Sequence, residues 1–346
     1  SSVPAANYPF CTIDPHTACT AVPDERSEVL KGIYKSGKII SSTVEFVDIA
    51  GLVKGAASGE GLGNQFLSHI RDVDLVIHVL RCFEDIMITY SRDELDPLID
   101  FEIIVTELML KDLESVEKRA AKVEQLIKSA KQKPAELKEL ELEAELIKQL
   151  KVALNNVDNV QVRKLIKESK VQTTPLLSAK NYMIVANISE DEIQDEAYKN
   201  NKHYQKLVSH FGADNVIPVC AKLESELAQL AHEEAEEMAS MMGIKVRGLD
   251  QIISKTYKNL GLITFFTCGP KEIHAWPIKA GINVRAASGE IHSDLEKGFI
   301  CATVFNYKDI AEAKTEAVLK NTGKIRTEGQ DYIVQDGDIL DIKFNV

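Results

Sequence analysis

Apolar positions along the 346 residues fall into three rhythms. The first is the short, dense run. Thr43–Val47, Asp74–Phe83 (DLVIHVLRCF), Tyr182–Asn187 (YMIVAN) and Asn215–Cys220 (NVIPVC) are rich in β-branched and other apolar residues. Such runs predict strands covered on both faces, as in a parallel sheet. The second rhythm starts at Phe101. Met109, Leu113, Val116, Ala120, Val123, Ile127 and Ala130 recur at spacings of four and three, a heptad seam on a long helix. Thirty residues of such a helix span about 45 Å. Lys133-Pro134 interrupts it, with proline well placed to open the next helix. Leu137, Leu140, Ala144 and Ile147 then resume the seam, which predicts an antiparallel helical hairpin. The third rhythm begins at Gly261, where short apolar runs (LITFFTCG, EIHAWPIKAG, FICATVFNY, DGDILDIKFNV) alternate with turns. Its last strand, Ile339–Val346, alternates between faces and is expected inside a sheet. Elsewhere the pattern predicts a helix through Ser68–Arg71 and one helix over Leu223–Met242 with an acidic face. It predicts connecting segments over Asp85–Asp100 and Asn156–Thr174.

The strand Thr43–Val47 ends in Asp48-Ile49-Ala50-Gly51, and five glycines follow from Gly51 to Gly63: Gly51, Gly55, Gly59, Gly61 and Gly63. That density suits a moving loop better than a helix interior. A carboxylate at a strand's carboxyl end, followed by a glycine hinge, is how a nucleotide switch is built. The Asp holds a magnesium water and the Gly amide meets a γ-phosphate. An ordinary strand-end turn can carry the same four residues.

The strand Tyr182–Asn187 ends in Asn187-Ile188-Ser189-Glu190. GTPases end this strand in Asn-Lys-x-Asp, where the Asp accepts from guanine N1–H and the 2-amino group. Adenine lacks that amino group, so a site without a well-placed Asp loses its reason to prefer guanine. Cys220-Ala221-Lys222 closes the next strand, where GTPases often read Ser-Ala-Lys. Ser178-Ala179-Lys180 spells that tripeptide too early in the chain and is read as loop.

Composition narrows the classes. The length predicts two or three domains. Hydrophobic residues at 45% supply real cores. No run of about eighteen apolar residues occurs, so no membrane span is expected. No signal peptide is read. The six cysteines form no C-x-x-C pair, which argues against a zinc site and for a reducing, cytoplasmic setting. The net charge of −12 argues against nucleic-acid binding by the whole surface. A local patch remains on the first hairpin helix and its end: Lys118, Arg119, Lys122, Lys128, Lys131 and Lys133, against Glu124. It is a candidate RNA contact, and equally reads as a solvated helix face.

The phrase EFVDIAGLVKGA followed by GEGLGNQFL resembles the switch II segment of the YchF family of Obg-like ATPases nearly residue for residue. The resemblance extends to Asn7-Tyr8-Pro9-Phe10-Cys11-Thr12-Ile13, to Asn-x-x-Glu, and to IHSDLEKGFI near the carboxyl terminus. It implies an α/β fold, a P-loop NTPase-type mostly parallel sheet with the inserted hairpin and a C-terminal β-grasp (TGS) domain. The divisions expected are 1–101 and 171–260 for the nucleotide-binding G domain, 102–170 for the helical coiled-coil insertion and 261–346 for the TGS domain. It also implies switch loops carrying Tyr8, Phe10, Thr12, Leu52, Gly55, Gly59, Gly61 and Gly63. Thr12 and Asp48 are the implied ligands of Mg2+. Nucleotide contacts are implied at Asp48, Gly51, Asn187, Ile188, Glu190, Cys220 and Ala221. Ile188 is expected to pack on the base or bond it through its backbone.

The family's phosphate loop, G-x-x-x-x-G-K-[ST], does not occur in these residues, since Gly37-Lys38 lacks the upstream glycine and the following hydroxyl. The expectation is that it lies outside this sequence. Leu52 follows the switch glycine where Ras-type enzymes place a water-orienting Gln, so slow intrinsic hydrolysis is expected, with no catalytic residue assigned. The function expected is a monomeric, cytoplasmic switch that binds and slowly hydrolyses ATP, with GTP a weaker substrate, and works with the ribosome or RNA. The alternative is a nucleotide-free RNA- or ribosome-binding adaptor that keeps the fold.

Overall fold

The computed structural model describes residues 16–49, 62–85, 94–130, 133–244 and 246–345. In chain order the strands and helices used below are β1 (His16–Ala21), α1 (Glu25–Tyr34), β2 (Lys38–Ile40), β3 (Thr43–Asp48), α2 (Leu62–Asp72), β4 (Val76–Arg81) and α3 (Pro97–Ser129). They continue with α4 (Pro134–Asn155), α5 (Asn159–Glu168), β5 (Tyr182–Asn187), α6 (Glu190–Ile193), α7 (Lys202–Phe211), β6 (Val216–Val219), α8 (Ala221–Leu227) and α9 (His232–Met241). The last are α10 (Gly248–Asn259), β7 (Leu262–Cys268), β8 (Glu272–Lys279), β9 (Phe299–Asn306), β10 (Arg326–Glu328) and β11 (Asp338–Phe344). Two compact units result, one from residues 47–248 and one from 17–46 together with 249–346.

In the first unit β4, β5 and β6 pair in parallel, in that order. Met183, Ile184, Val185 and Ala186 are all buried, as expected of a strand covered on both faces. His78 on β4 packs edge-on against Phe101 and Tyr182, with ring centroids 4.9 and 5.7 Å away. Nothing there favours an imidazolium, and burial pulls its pKa down to about 4.

The hairpin is α3 against α4, and every position of the predicted seam packs into one core: Met109, Val116, Val123, Ala130, Leu140 and Ile147 are buried, the others partly so. The first helix starts earlier than its seam. Asp96 accepts the N–H groups of Leu98 and Ile99, and Pro97 opens the helix where its missing N–H costs nothing. A second difference is α5, inside the stretch read as irregular. It has Asp158 as its cap, and Val162 is buried with Leu165 and Ile166 packed partly beside it, on a helix of only ten residues.

The helix expected over Leu223–Met242 is two. The chain leaves the helical region at Ala231, and the break lets Leu223 and Leu227 from α8 meet Ala235 and Ala239 from α9 in one cluster. Ser178-Ala179-Lys180 is not at a strand end. Asp112 on α3, 1% exposed, accepts the N–H groups of Leu177 and Ser178 and the Ser178 hydroxyl, at 2.8, 2.8 and 2.7 Å. Lys180 donates to the carbonyls of Arg71 and Val73, just past the end of α2. The tripeptide fastens α2 and α3 to the sheet.

The second unit is a six-stranded mixed sheet in the order β10-β9-β11-β7-β8-β2, the β-grasp expected at the carboxyl end with one added strand. Residues 17–46 pack with this unit. The short β2 joins the open edge of β8 in parallel, Lys38 to Ile40 opposite Glu272 to His274. Arg26 on α1 forms ion pairs with Asp24 and Asp336 at 2.8 Å and lies over the Phe266 ring. Sequence distance hides this pairing, because β2 has only three residues to signal it.

The His78 environment has a measurable consequence. The folded protein keeps His78 neutral where the unfolded chain protonates it. Its contribution to stability is therefore full above pH 6.5 and is lost as pH falls toward 4, up to about 3 kcal/mol. Urea denaturation of wild type and His78→Phe across pH 4 to 7 is expected to show that slope in the first protein and a weaker one in the second.

Candidate functional site

Parallel strands deliver their carboxyl ends to one rim, where α/β proteins bind ligands. Register sets Arg81 beside Asn187 and Asn187 beside Val219. Backbone bonds carry the pairing past the strand ends: Cys82 N–H donates to the Asn187 carbonyl at 2.8 Å, and Ile188 N–H to the Val219 carbonyl at 2.9 Å. The predicted residues Asn187, Ile188, Glu190, Cys220 and Ala221 therefore meet at this rim.

Their side chains divide the work. Asn187 Oδ1 accepts the N–H of Ala221 at 3.1 Å and so joins the two loops. That fixes the amide's orientation and turns Nδ2 into the group it can offer a ligand. Cys220 is the N-cap position of α8 and is buried, and burial pushes its thiol pKa up. Ile188 differs from expectation. Its side chain is 1% exposed within the core and its N–H is already bonded, so its carbonyl oxygen is what it can present. The isoleucine is an anchor, which explains an apolar residue where GTPases have lysine.

Glu190 begins α6, and Lys222 reaches it: Nζ to Oε2 is 2.8 Å. In the sequence Lys222 is only the last residue of the strand-end tripeptide. The signal available was a lysine three residues past β6, the strand beside Asn187. The carboxylate raises the lysine's pKa through that hydrogen bond.

Asp48 ends β3 and is exposed, in a strand paired to β1 rather than to β4 among the described residues. Gly63 falls in the first turn of α2 rather than in a loop. Thr12, Tyr8, Phe10, Gly51, Leu52, Gly55, Gly59 and Gly61 lie outside the described residues. Among the described residues no three of His, Cys, Asp and Glu gather as a metal cage. A magnesium carried by phosphates and water needs only one or two protein oxygens, and the Asp48 carboxylate is of that type.

The basic patch is smaller than expected. Arg119 is not free: its Nε and Nη2 grip both oxygens of Glu143 at 2.7 and 2.8 Å, and Glu143 is 4% exposed. Lys118, Lys122 and Lys128 are exposed, Lys133 pairs with Glu136 at 3.0 Å, and Lys131 lies outside the described residues.

Two family models match. One described as a 50S ribosome-binding GTPase covers residues 1–134. The other, YchF-GTPase_C, is described as a protein of unknown function and covers residues 262–345. The ribosome-binding ATPase YchF of Bacillus subtilis is 43% identical over 99% of this chain and 92% of its own length. This chain belongs to the YchF family. A second YchF, from Haemophilus influenzae, is 40% identical over the whole chain and 93% of its own. The Obg-like ATPase 1 of rice is 42% identical over the whole chain and 86% of its own. The solved YchF GTPase of Schizosaccharomyces pombe superposes with a TM-score of 0.80 at 35% identity, over 98% of this chain and 90% of that one. The family makes the chain a nucleotide hydrolase of the GTPase-type α/β fold. Its members' names divide between ATPase and GTPase, so the base is a question for this chain's own loop. No helix among the described residues is long and apolar enough to cross a membrane.

The grip of Arg119 on Glu143 predicts a structural phenotype. Arg119→Ala strands a buried carboxylate and is expected to cost about 3 kcal/mol in urea denaturation, whereas Lys122→Ala is expected to change stability by less than about 0.5 kcal/mol.

Proposed function

We propose that this protein is a YchF-type switch that binds and slowly hydrolyses ATP in preference to GTP, and works at the ribosome. The observation that carries the reading is the braced Asn187–Glu190 loop. Its Asn187 is held by Ala221, its Ile188 is sunk in the core and its Glu190 is engaged by Lys222. The Ile188 carbonyl is an acceptor for the amino group of adenine, where guanine would present an oxygen. Asn187 Nδ2 meets a ring nitrogen of either base. Guanine needs a carboxylate free to take two N–H bonds, and Glu190 is occupied at one oxygen. A site that leaves such donors unpaired rejects the base that carries them.

The remaining roles extend from the family pattern. Asp48 and Thr12 are the proposed oxygen ligands of Mg2+, which neutralises phosphate charge when bound. Gly51 is the proposed γ-phosphate contact, and the loop through Leu52, Gly55, Gly59 and Gly61 the moving part. Leu52, where Ras-type enzymes place Gln, has no group to orient an attacking water, which supports slow turnover raised by a partner. Hydrolysis further depends on a phosphate-gripping loop, a motif these 346 residues do not contain. The ribosome enters through the relatives named as ribosome-binding. The exposed Lys118, Lys122 and Lys128 on the hairpin are the proposed RNA contact, and the TGS domain a second one. A cytoplasmic monomer is the setting proposed, with G domain, coiled-coil insertion and TGS domain as its parts.

Titration of the purified protein with fluorescent ATP and GTP analogues in magnesium, competed with plain nucleotide, tests the reading. Tighter ATP than GTP binding is expected, and Lys222→Met, which releases Glu190, is expected to narrow the preference. Tighter GTP binding in the wild type would overturn the role given to Glu190. Binding of neither nucleotide would leave the adaptor reading, to be checked by ribosome co-sedimentation with Lys118, Lys122 and Lys128 neutralised.

A further inference from the structure

Asn201 stands where three segments around the rim meet. It caps α7, its Oδ1 accepting the N–H groups of His203 and Tyr204 at 2.8 and 3.0 Å. Its Nδ2 has two further partners outside that helix. It donates to the Cys82 carbonyl at 2.8 Å and to Glu192 Oε1 at 2.8 Å. Glu192 Oε2 in turn accepts from the Ser189 hydroxyl at 3.0 Å. Cys82 N–H donates to the Asn187 carbonyl at 2.8 Å. The bonds close a ring that runs from Asn187 through Ser189 to Glu192, across Asn201 to Cys82, and back to Asn187. The loop that Ala221 and Lys222 brace from one side is thus held from the other by a single carboxamide with all its hydrogen-bonding capacity in use.

A helix cap needs only the oxygen, and aspartate or serine would serve as well. What asparagine adds is the amide donor, and both its N–H bonds go to the rim. The chain inside the Glu192–Asn201 bond is conformationally costly. Asp195 and Glu196 both adopt the left-handed region, with φ of 48° and 59°. Residues other than glycine seldom do so, and two in succession are rarer. Such backbone persists where its surroundings over-determine it. Here the bond from Glu192 to Asn201 ties the two ends of that stretch together.

We infer that Asn201 is a positioning residue for base selectivity. It does not touch the base; through Glu192 and Cys82 it fixes the loop that carries Asn187, the Ile188 carbonyl and Glu190. The inference rests on the reading that this loop meets the base. Discrimination by so few polar groups requires them to be held to within about 0.5 Å, which a loop of six residues does not achieve without such support.

Asn201→Asp tests it, because the variant keeps the cap, removes the donor and sets a carboxylate against Glu192. Adding Glu192→Gln returns an N–H to that contact in the opposite direction and leaves an oxygen for Ser189. Wild type, single variant and double variant of the full chain are titrated with ATP and with GTP in magnesium, with Tm and amide exchange over residues 187–192 measured alongside. For Asn201→Asp the ATP Kd is expected to rise about tenfold, the loss of one charge-assisted hydrogen bond. The ratio of GTP to ATP Kd is expected to shrink several-fold, the loop amides to exchange faster and Tm to move by no more than about 4 °C. The double variant is expected to recover part of the lost ratio. A ratio unchanged in Asn201→Asp overturns the positioning role, even if both affinities fall together. A wild type that binds neither nucleotide is a different result: it removes the base-site reading, and this proposal falls with it.

Discussion

The parallel pairing of β5 between β4 and β6 is the constraint on which the site depends. A parallel ladder brings carboxyl ends to one side, and here two backbone bonds extend it beyond the last strand residues. Asn187 thereby comes to rest against Ala221 without any contribution from the loops themselves. A one-residue slip between β5 and β6 would move Asn187 off Val219 and break its contact with Ala221. Burial of the strand and presentation of the loop are one energetic event.

Buried charge supplies the second level of order. Asp112 and Glu143 are both almost wholly enclosed, each with a full set of partners: backbone N–H groups and a hydroxyl for the first, a two-point guanidinium grip for the second. Burial pushes the Asp112 carboxyl up despite those bonds. Asp112 satisfies backbone N–H groups that an apolar residue would leave unpaired, and the Arg119–Glu143 pair contributes register. Asp112 sets where α3 meets the sheet, and Arg119 with Glu143 sets which residues of α3 and α4 face each other. The seam of small and branched apolar residues provides adhesion along the hairpin, and the polar pairs choose one alignment from several that adhesion alone would permit.

The second unit is completed by a segment from far along the chain. Three residues of β2 cannot specify a partner through side-chain pattern, and the edge of β8 would accept many extended segments. Arg26, gripping Asp24 beside it and Asp336 more than three hundred positions later, removes that freedom. Asp336 also accepts the Thr264 N–H at 2.9 Å, so one carboxylate links the added helix to the central strand β7.

Much of this was legible in the residues. Strong periodicity named the three strands of the parallel sheet and the hairpin seam, because burial of a regular element imposes its period on the sequence. The phrases around Asp48 and Glu190 carried the family. Short elements escaped: α5 has ten residues inside a polar stretch, β2 has three, and the break at Ala231 matters only because two helix faces share one cluster. The charge of Arg119 was visible while its commitment to Glu143 was not, since ion pairing between helices depends on their relative register. The sequence by itself determined the α/β class, the hairpin, the C-terminal strands and the residues that end each strand. The tertiary structure alone decided which of those residues touch, which side of Ile188 is available, and which cations are free. Identity and spacing govern local conformation; partnership is set by distances that only the closed chain defines.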